Sequence, residues 1–345
     1  MAMRTAVSSL CDEAPPQPDD VVRPWIGQVV KPKFFGLLHL EQDENSAVNV
    51  ATSSFSEQTA IYVNNAVTLS SSLKKRGIDF ELLTNRRDLV EGALPTGRLL
   101  RITEIPFETP VPRGIKFYSA HFKVDALRYL SRIQDRYLVL SDLDVICIND
   151  CPEAFRNIIK VGIPLCYDIS DQEIPSYGHD SILGDLRSVH GIEGEGRWLG
   201  GEFLGGTSEF FRRLVAKIDL IYPTYLSNLP RMRHVGDEAL VSAAVELLRR
   251  EGVYVADAGT IGIVARYWNR DSLHPQQSIH YYVGRFFLLH LPADKKFLSS
   301  LAAQATSASA DVRDLYVRHW RSIFQTSQRT SRRSLRWLKG LAPRA

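Results

Sequence analysis

Four consecutive apolar residues, Tyr137-Leu138-Val139-Leu140, constrain the fold of this chain more than any other feature. They follow a segment, Ser119 to Arg132, in which Phe122, Ala126, Tyr129 and Leu130 recur at helical spacing. A helix that feeds into an apolar run without polar alternation points to a strand buried on both faces of a sheet. The preceding residues repeat the pattern. Lys33 to Leu40 contains Phe34-Phe35-Gly36-Leu37-Leu38, and Asp79 to Thr84 and Arg98 to Ile105 are further strand candidates. Glu57 to Arg76 has helical character and closes on Lys74-Lys75-Arg76-Gly77, basic residues followed by a stop glycine. Alternation of this kind over the first 170 residues predicts an α/β fold: an open, mostly parallel mixed sheet flanked by helices.

One domain over 31–305 accommodates these elements. A Pro- and Asp-rich arm over 1–30 precedes it, and a basic helical tail over 306–345 follows. From Val312 onward the tail holds nine Arg or Lys residues and one Asp, so the body of a chain with net charge +3 is itself mildly acidic. Cys11, Cys147, Cys151 and Cys166 form no repeated pair, and read as reduced thiols rather than a disulfide scaffold or zinc site. No window approaches the ~18 to 20 apolar residues that cross a bilayer. The apolar stretch near the N-terminus is too short for a secretory signal. The expected location is the cytoplasmic side.

Asp142-Leu143-Asp144 follows the apolar run and Ser141, and precedes Val145-Ile146-Cys147-Ile148. In an extended chain, two residues separated by one other leave the same face. Two carboxylates projecting together repel each other unless a cation lies between them. A hard divalent ion, Mn²⁺ or Mg²⁺, takes such oxygen ligands and bridges to phosphates. Average composition yields roughly one such triplet per chain of this length, usually in a solvated turn. This one is the sole strict Asp-x-Asp in the sequence, and it sits within its strongest strand signal.

Tyr137 to Val145 resembles the strand and Asp-x-Asp signature of GT-A fold (Rossmann-like) nucleotide-sugar glycosyltransferases, nearest the glycogenin and bacterial lipopolysaccharide galactosyltransferase group. The resemblance runs over residues 115 to 300 and implies the roles of several positions. Lys123 lies close to where the family has a basic residue on the sugar diphosphate; a lysine on an exposed helical face is the plain alternative. Trp198 to Thr207 resembles a glycine-containing strand lining donor and acceptor, with Gly205 and Gly206 allowing close approach and Glu202 facing the site. A bulged strand with a tight turn reads equally well. Gly236-Asp237-Glu238-Ala239-Leu240 resembles the family's Asp-Gln-Asp-x-Leu segment, with Asp237 in place of the glutamine and Glu238 in place of the last aspartate. Acidic residues favouring a helix N-terminus are the alternative there. His290 to Lys296 resembles the His-x5-Lys element, which makes His290 the third metal ligand and gives Lys296 the diphosphate.

The implied activity is metal-dependent transfer of a sugar from a nucleotide-diphosphate donor, a UDP-sugar by preference, to a glycan or lipid-linked acceptor. Asp237 and Glu238 are the candidate catalytic carboxylates, and retention of anomeric configuration is implied. In the tail, Trp320, Ile323 and Phe324 share a helical face, and Leu335, Trp337, Leu338 and Leu341 lie among Arg332, Arg333, Arg336 and Lys339. That mixture suits an anionic membrane surface or, equally, a solvated tail; nothing resembles a nucleic-acid module. Two rival classes stay open. A sugar-phosphate nucleotidyltransferase usually has a glycine-rich basic loop after its first strand, whereas Leu38-His39-Leu40-Glu41-Gln42-Asp43 is acidic. A non-catalytic GT-A-like binding protein would survive loss of Asp142 and Asp144.

Overall fold

The computed structural model describes residues 31–41, 54–134, 136–270, 272–304 and 313–322. The N-terminal arm and the tail beyond 322 lie outside them, and with them Cys11, Ile323, Phe324, Trp337 and the other tail positions read for membrane contact. Among the described residues no helix is long and apolar enough to cross a membrane.

Strand β1 (Lys33–Leu38) leads through a 20-residue helix, α1 (Phe55–Lys74), to β2 (Asp79–Thr84). Ser54 caps α1 by accepting from the Glu57 amide at 3.1 Å, as a serine at that position should. A short helix α2 (Arg87–Gly92) and strand β3 (Ile102–Glu104) complete the first half. Helix α3 (Lys123–Leu130), entered through a 3₁₀ turn at Tyr118–Phe122, then precedes β4 (Leu138–Ser141). All four β4 residues are buried, as its unbroken apolar run predicts.

After β4 come β5 (Val145–Cys147), α4 (Glu153–Val161), β6 (Leu165–Asp168), α5 (Ser170–Tyr177), α6 (His179–His190), β7 (Leu199–Gly206) and α7 (Ser208–Asn228). The remaining elements are α8 (Asp237–Arg250), β8 (Ala256–Asp257), β9 (Val264–Arg266), α9 (Ile279–Val283), β10 (Leu288–His290) and α10 (Lys295–Gln304). The large sheet runs β3-β2-β1-β4-β7-β6-β8. It is parallel from β3 through β4 and between β6 and β8, while β7 is antiparallel to both its neighbours. The expected open, mostly parallel mixed sheet is present. Because β1 has β2 on one side and β4 on the other, the connections diverge between β1 and β4. A crevice opens there at the carboxyl ends of the strands, the usual place for a ligand in such sheets.

A second sheet, β5-β10-β9, carries its own apolar cluster around Ile146, Leu289 and Tyr316. It corrects the reading of the acidic triplet. Asp142 to Asp144 is not extended: it is the turn by which the chain leaves β4 in the large sheet and enters β5 in the small one. The carboxylates converge through that turn rather than through the pleat. The helix over 313–322 docks on this second sheet, with Tyr316 fully buried and donating to Asp294 Oδ2 at 2.9 Å. Trp320 Nε1 donates to Tyr267 Oη at 2.8 Å, and its half-buried ring packs against the second apolar cluster.

Candidate active site

A cleft of about 730 Å³ opens at the β1–β4 crevice, a size ordinary for a small-molecule site. Register brings its central residues together. His290 pairs with Val145 in the β5–β10 ladder, and the Leu291 amide donates to the Asp144 carbonyl at 2.9 Å. The imidazole therefore lands beside the triplet although 146 residues separate it from Asp144 in sequence. His290 Nε2 is 3.1 Å from Asp144 Oδ1 and 4.0 Å from Asp142 Oδ2. One ligand atom each from Asp142, Asp144 and His290 lies within 4.8 Å of the others. Two carboxylates and an imidazole converging in this way have the donor chemistry that suits Mn²⁺ or Mg²⁺.

Cationic side chains surround this set. Lys295 Nζ donates to Asp144 Oδ2. Lys123 Nζ lies 2.7 Å from Asp142 Oδ1 and 2.6 Å from Asp237 Oδ2, and donates to the Gly201 carbonyl at 2.8 Å. Burial alone would push the Asp144 carboxyl up, but Lys295 and His290 outweigh it and hold that group well below the usual range. The same contest at His290 goes to the carboxylates: burial opposes its charge, yet Asp144 and Glu202 raise it to about 9. At Asp237 burial wins over Lys123, and the carboxyl is pushed up to about 6.

Behind this shell, Arg266 at the end of β9 gathers the carboxylates. Its Nε and Nη2 donate to Glu202 Oε1 and Oε2 at 2.7 and 2.6 Å, and Nη2 also reaches Glu238 Oε1 at 2.7 Å. Glu202 Oε1 stands 3.1 Å from His290 Nδ1. With Nδ1 directed to Glu202, Nε2 is the nitrogen presented to the acidic turn. Glu238 also accepts from Trp198 Nε1 at 2.9 Å and the Gly201 amide at 3.3 Å.

A hydrogen-bond relay fixes the mouth of the cleft. Phe117 lines it with φ of 55°, a left-handed conformation unusual for an aromatic residue. Its carbonyl can only accept, so His121 Nδ1, 3.0 Å away, carries the proton. His121 Nε2 then accepts from Tyr225 Oη at 2.6 Å, and that oxygen accepts from the Gly236 amide at 2.8 Å. Burial lowers the His121 pKa, consistent with this neutral tautomer. Gly236, with φ of 134°, occupies a conformation closed to side chains and starts α8 so that Asp237 and Glu238 face the cleft.

The positions singled out in the sequence therefore divide. Asp142, Asp144, His290, Lys123, Asp237 and Glu238 all line the cleft, and Lys123 is buried rather than on an exposed helical face. Lys296 does not: its side chain is 61% exposed, 3.9 Å from Glu57, and the residue in the cleft is Lys295. Both begin α10, where successive side chains point about 100° apart, so one inward lysine turns the next outward. Gly205 and Gly206 pair with Val139 and Leu138 at the far end of β4, where they make room for the Tyr137 and Phe210 rings. Gly201 is the glycine at the cleft, and a methyl there would overlap the Asp237 carboxylate and approach Lys123 Nζ to 2.7 Å. Glu202 is fully buried behind His290 rather than facing the cleft. Arg266, Glu173 and Lys295 were missed. Arg266 ends the run Ile263-Val264-Ala265 as His290 ends Phe286 to Leu289, and that parallel was the available signal.

No protein-family profile matches the sequence, and no curated protein matches it. Among solved structures the chain is similar to the galactosyltransferase LgtC in complex with donor and acceptor sugar analogues, at 12% identity and a TM-score of 0.46, over 82% of this chain and 99% of that one. It is also similar to an active-site mutant of LgtC with glutamate in place of a glutamine, at 12% identity and a TM-score of 0.47, over 81% and 99%.

Proposed function

We propose that this protein is a metal-dependent glycosyltransferase of GT-A type that uses a nucleotide-diphosphate sugar, a UDP-sugar by preference, and a glycan acceptor. The observation that carries the proposal is the convergence of Asp142, Asp144 and His290 at the β1–β4 crevice with Lys123 and Lys295 beside them. Acidic and imidazole ligands with adjacent ammonium groups match a site that holds a divalent ion and a diphosphate together.

Asp142, Asp144 and His290 would hold the Mn²⁺ or Mg²⁺ ion, which when bound supplies electrostatic stabilisation to the negative charge on the departing diphosphate. Lys295 and Lys123 add positive charge at the same place. Glu202 accepts from His290 Nδ1 and so would hold the ring with Nε2 toward the acidic turn, where a bound ion would take the place of the Nε2 proton. Cleavage of the anomeric C–O bond leaves the sugar oxocarbenium-like, and a nearby carboxylate can stabilise it, bond to it or deprotonate the acceptor. Asp237 takes this role. Glu238, held by Trp198, Arg266 and the Gly201 amide, shapes the sugar pocket beside it.

The test is thermal shift and donor hydrolysis across UDP-, GDP- and CMP-sugars, with and without Mn²⁺. At least one nucleotide sugar should stabilise the protein and be turned over in a Mn²⁺-dependent way, and Asp142→Ala with Asp144→Ala should abolish both effects. Absence of any such donor refutes the proposal.

A further inference from the structure

Three of the cations paired with the site's carboxylates come from one corner of the fold. Arg266 ends β9, His290 ends β10 opposite it, and Lys295 opens α10. The helix over 313–322 packs on this corner, in the same apolar cluster as Ala265, Leu289 and Leu298. It reaches the corner through two hydrogen bonds, each one residue away from a cation. Tyr316 Oη donates to Asp294, which precedes Lys295, and Trp320 Nε1 donates to Tyr267, which follows Arg266.

The Asp294 arm is the more elaborate. The buried Asp294 carboxylate also accepts from Asn269 Nδ2 at 3.0 Å, and His319 Nε2 stands 3.4 Å from it. His319 in turn stacks on Phe297 of α10, with ring centres 3.7 Å apart and 10° between the planes. Apolar contact alone would cover the small sheet, whereas a buried carboxylate among polar partners fixes one geometry. The Asp294 carbonyl accepts from the Leu298 amide at 2.9 Å, so the residue that Tyr316 grips also starts the first turn of α10. That start decides which lysine enters the cleft, and it is Lys295 that donates to Asp144. On the other arm the Tyr267 amide donates to the His290 carbonyl at 2.9 Å, so a hold on Tyr267 is a hold on both strands.

Resting on the glycosyltransferase reading above, we propose that helix 313–322 is a clamp that sets Lys295 and Arg266 at the cleft, with Tyr316 and Trp320 as its positioning residues. Neither side chain lines the cleft; each acts through the neighbour of a residue that does. A displacement of about 1 Å at a group that meets developing charge can cost about 100-fold in rate, which is why so remote a clamp matters to turnover.

Hydrogen-exchange mass spectrometry and a double-mutant cycle test the clamp together. Tyr316→Phe removes one oxygen, and amide exchange over 291–298 should quicken about tenfold through loss of a hydrogen bond to a charged group, while β4 keeps its protection. Arg321→Ala, at an exposed side chain of the same helix, should change neither. In Mn²⁺-dependent donor turnover, Tyr316→Phe should lower kcat/KM about tenfold in the parent and less than about twofold beside Lys295→Met. Equal losses in the two backgrounds would make Tyr316 a plain structural residue and overturn its positioning role. Unchanged exchange over 291–298 overturns the clamp whatever the activity. Trp320→Phe, at a half-buried ring, should quicken exchange over 264–268, and it decides the matter if the buried Tyr316 variant does not fold; no change there overturns the clamp as well. If exchange quickens but no nucleotide sugar is turned over, the clamp stands and the glycosyltransferase reading is what fails.

Discussion

Replacing Glu202 by Gln separates an electrostatic account of the site from a purely steric one. The two residues have the same shape, and the site is fully buried, so packing is conserved. Hydrogen bonding is not. Glu202 Oε1 faces donors from Arg266 Nε and His290 Nδ1, and Oε2 faces Arg266 Nη2. An amide has one oxygen and one NH₂, so either orientation sets a donor against a donor, and the negative charge that compensates Arg266 and His290 is lost. Removing one partner of a buried ion pair costs about 3 to 5 kcal/mol, and Glu238 still holds one edge of Arg266, which places the expected loss near 3 kcal/mol. For a domain of this size, that lowers Tm by about 5 °C. Partners that orient a metal-ligating histidine typically change metal affinity by about 10- to 100-fold, so Mn²⁺ binding should weaken within that range. Urea unfolding and Mn²⁺ titration by electron paramagnetic resonance measure the two effects. A variant matching the parent in both would refute the idea that Glu202 holds His290 and Arg266 by charge.

Lys295→Met should depress donor turnover at least tenfold, while Lys296→Met, at an exposed side chain, should leave it within about twofold; kcat/KM for the two variants decides which lysine serves the site. Tyr225→Phe breaks the relay between His121 and the Gly236 amide, and two groups losing a buried partner should cost about 1 to 3 kcal/mol in urea unfolding. The Glu173 carboxyl is pushed up to about 7 by burial, with the Glu238 charge adding to it, against Arg266 on β9 and His234. Because the folded pKa exceeds the ordinary 4.5, Glu173 contributes stability in full below pH 4.5, and loses about 3 kcal/mol of it as pH rises to 7. The stability gap between the parent and Glu173→Gln should therefore shift by that amount across the interval, and a pH-independent gap in urea unfolding would count against this.

The layered α/β architecture was legible because it depends on short-range pattern. The run Tyr137 to Leu140 carries its own burial, and the Lys74-Lys75-Arg76-Gly77 stop announces its own helix end. The acidic triplet was legible as chemistry but not as geometry. Its flanks, Tyr137 to Leu140 and Val145 to Ile148, look like one strand in sequence, and only the pairing of Val145 with His290 shows that they serve different sheets. The placing of Lys295 rather than Lys296 at the cleft has a similar origin. Motif spacing selected Lys296, but the direction in which α10 starts decides between neighbours, and that direction depends on contacts with α1, where Thr68 Oγ1 donates to the Leu298 carbonyl at 2.9 Å.

What sequence could least reveal is charge balance, because its members come from distant elements. In the connected ion-pair network of Lys123, Arg266, His290 and Lys295, six carboxylates (Asp142, Asp144, Glu173, Glu202, Asp237 and Glu238) meet those four cations. The surplus is negative. Protein interiors answer such a surplus by raising the pKa of the groups that are least well paired. Those groups here are Asp237 and Glu173, raised to about 6 and about 7, while Glu202 and Asp144, each with two cationic neighbours, are held low. The excess charge thus collects on Asp237 and Glu173, two carboxylates that line the cleft. A divalent cation at the proposed site of Asp142, Asp144 and His290 would offset that surplus, and Lys123, which bridges Asp142 to Asp237, ties one of the raised carboxyls to that site.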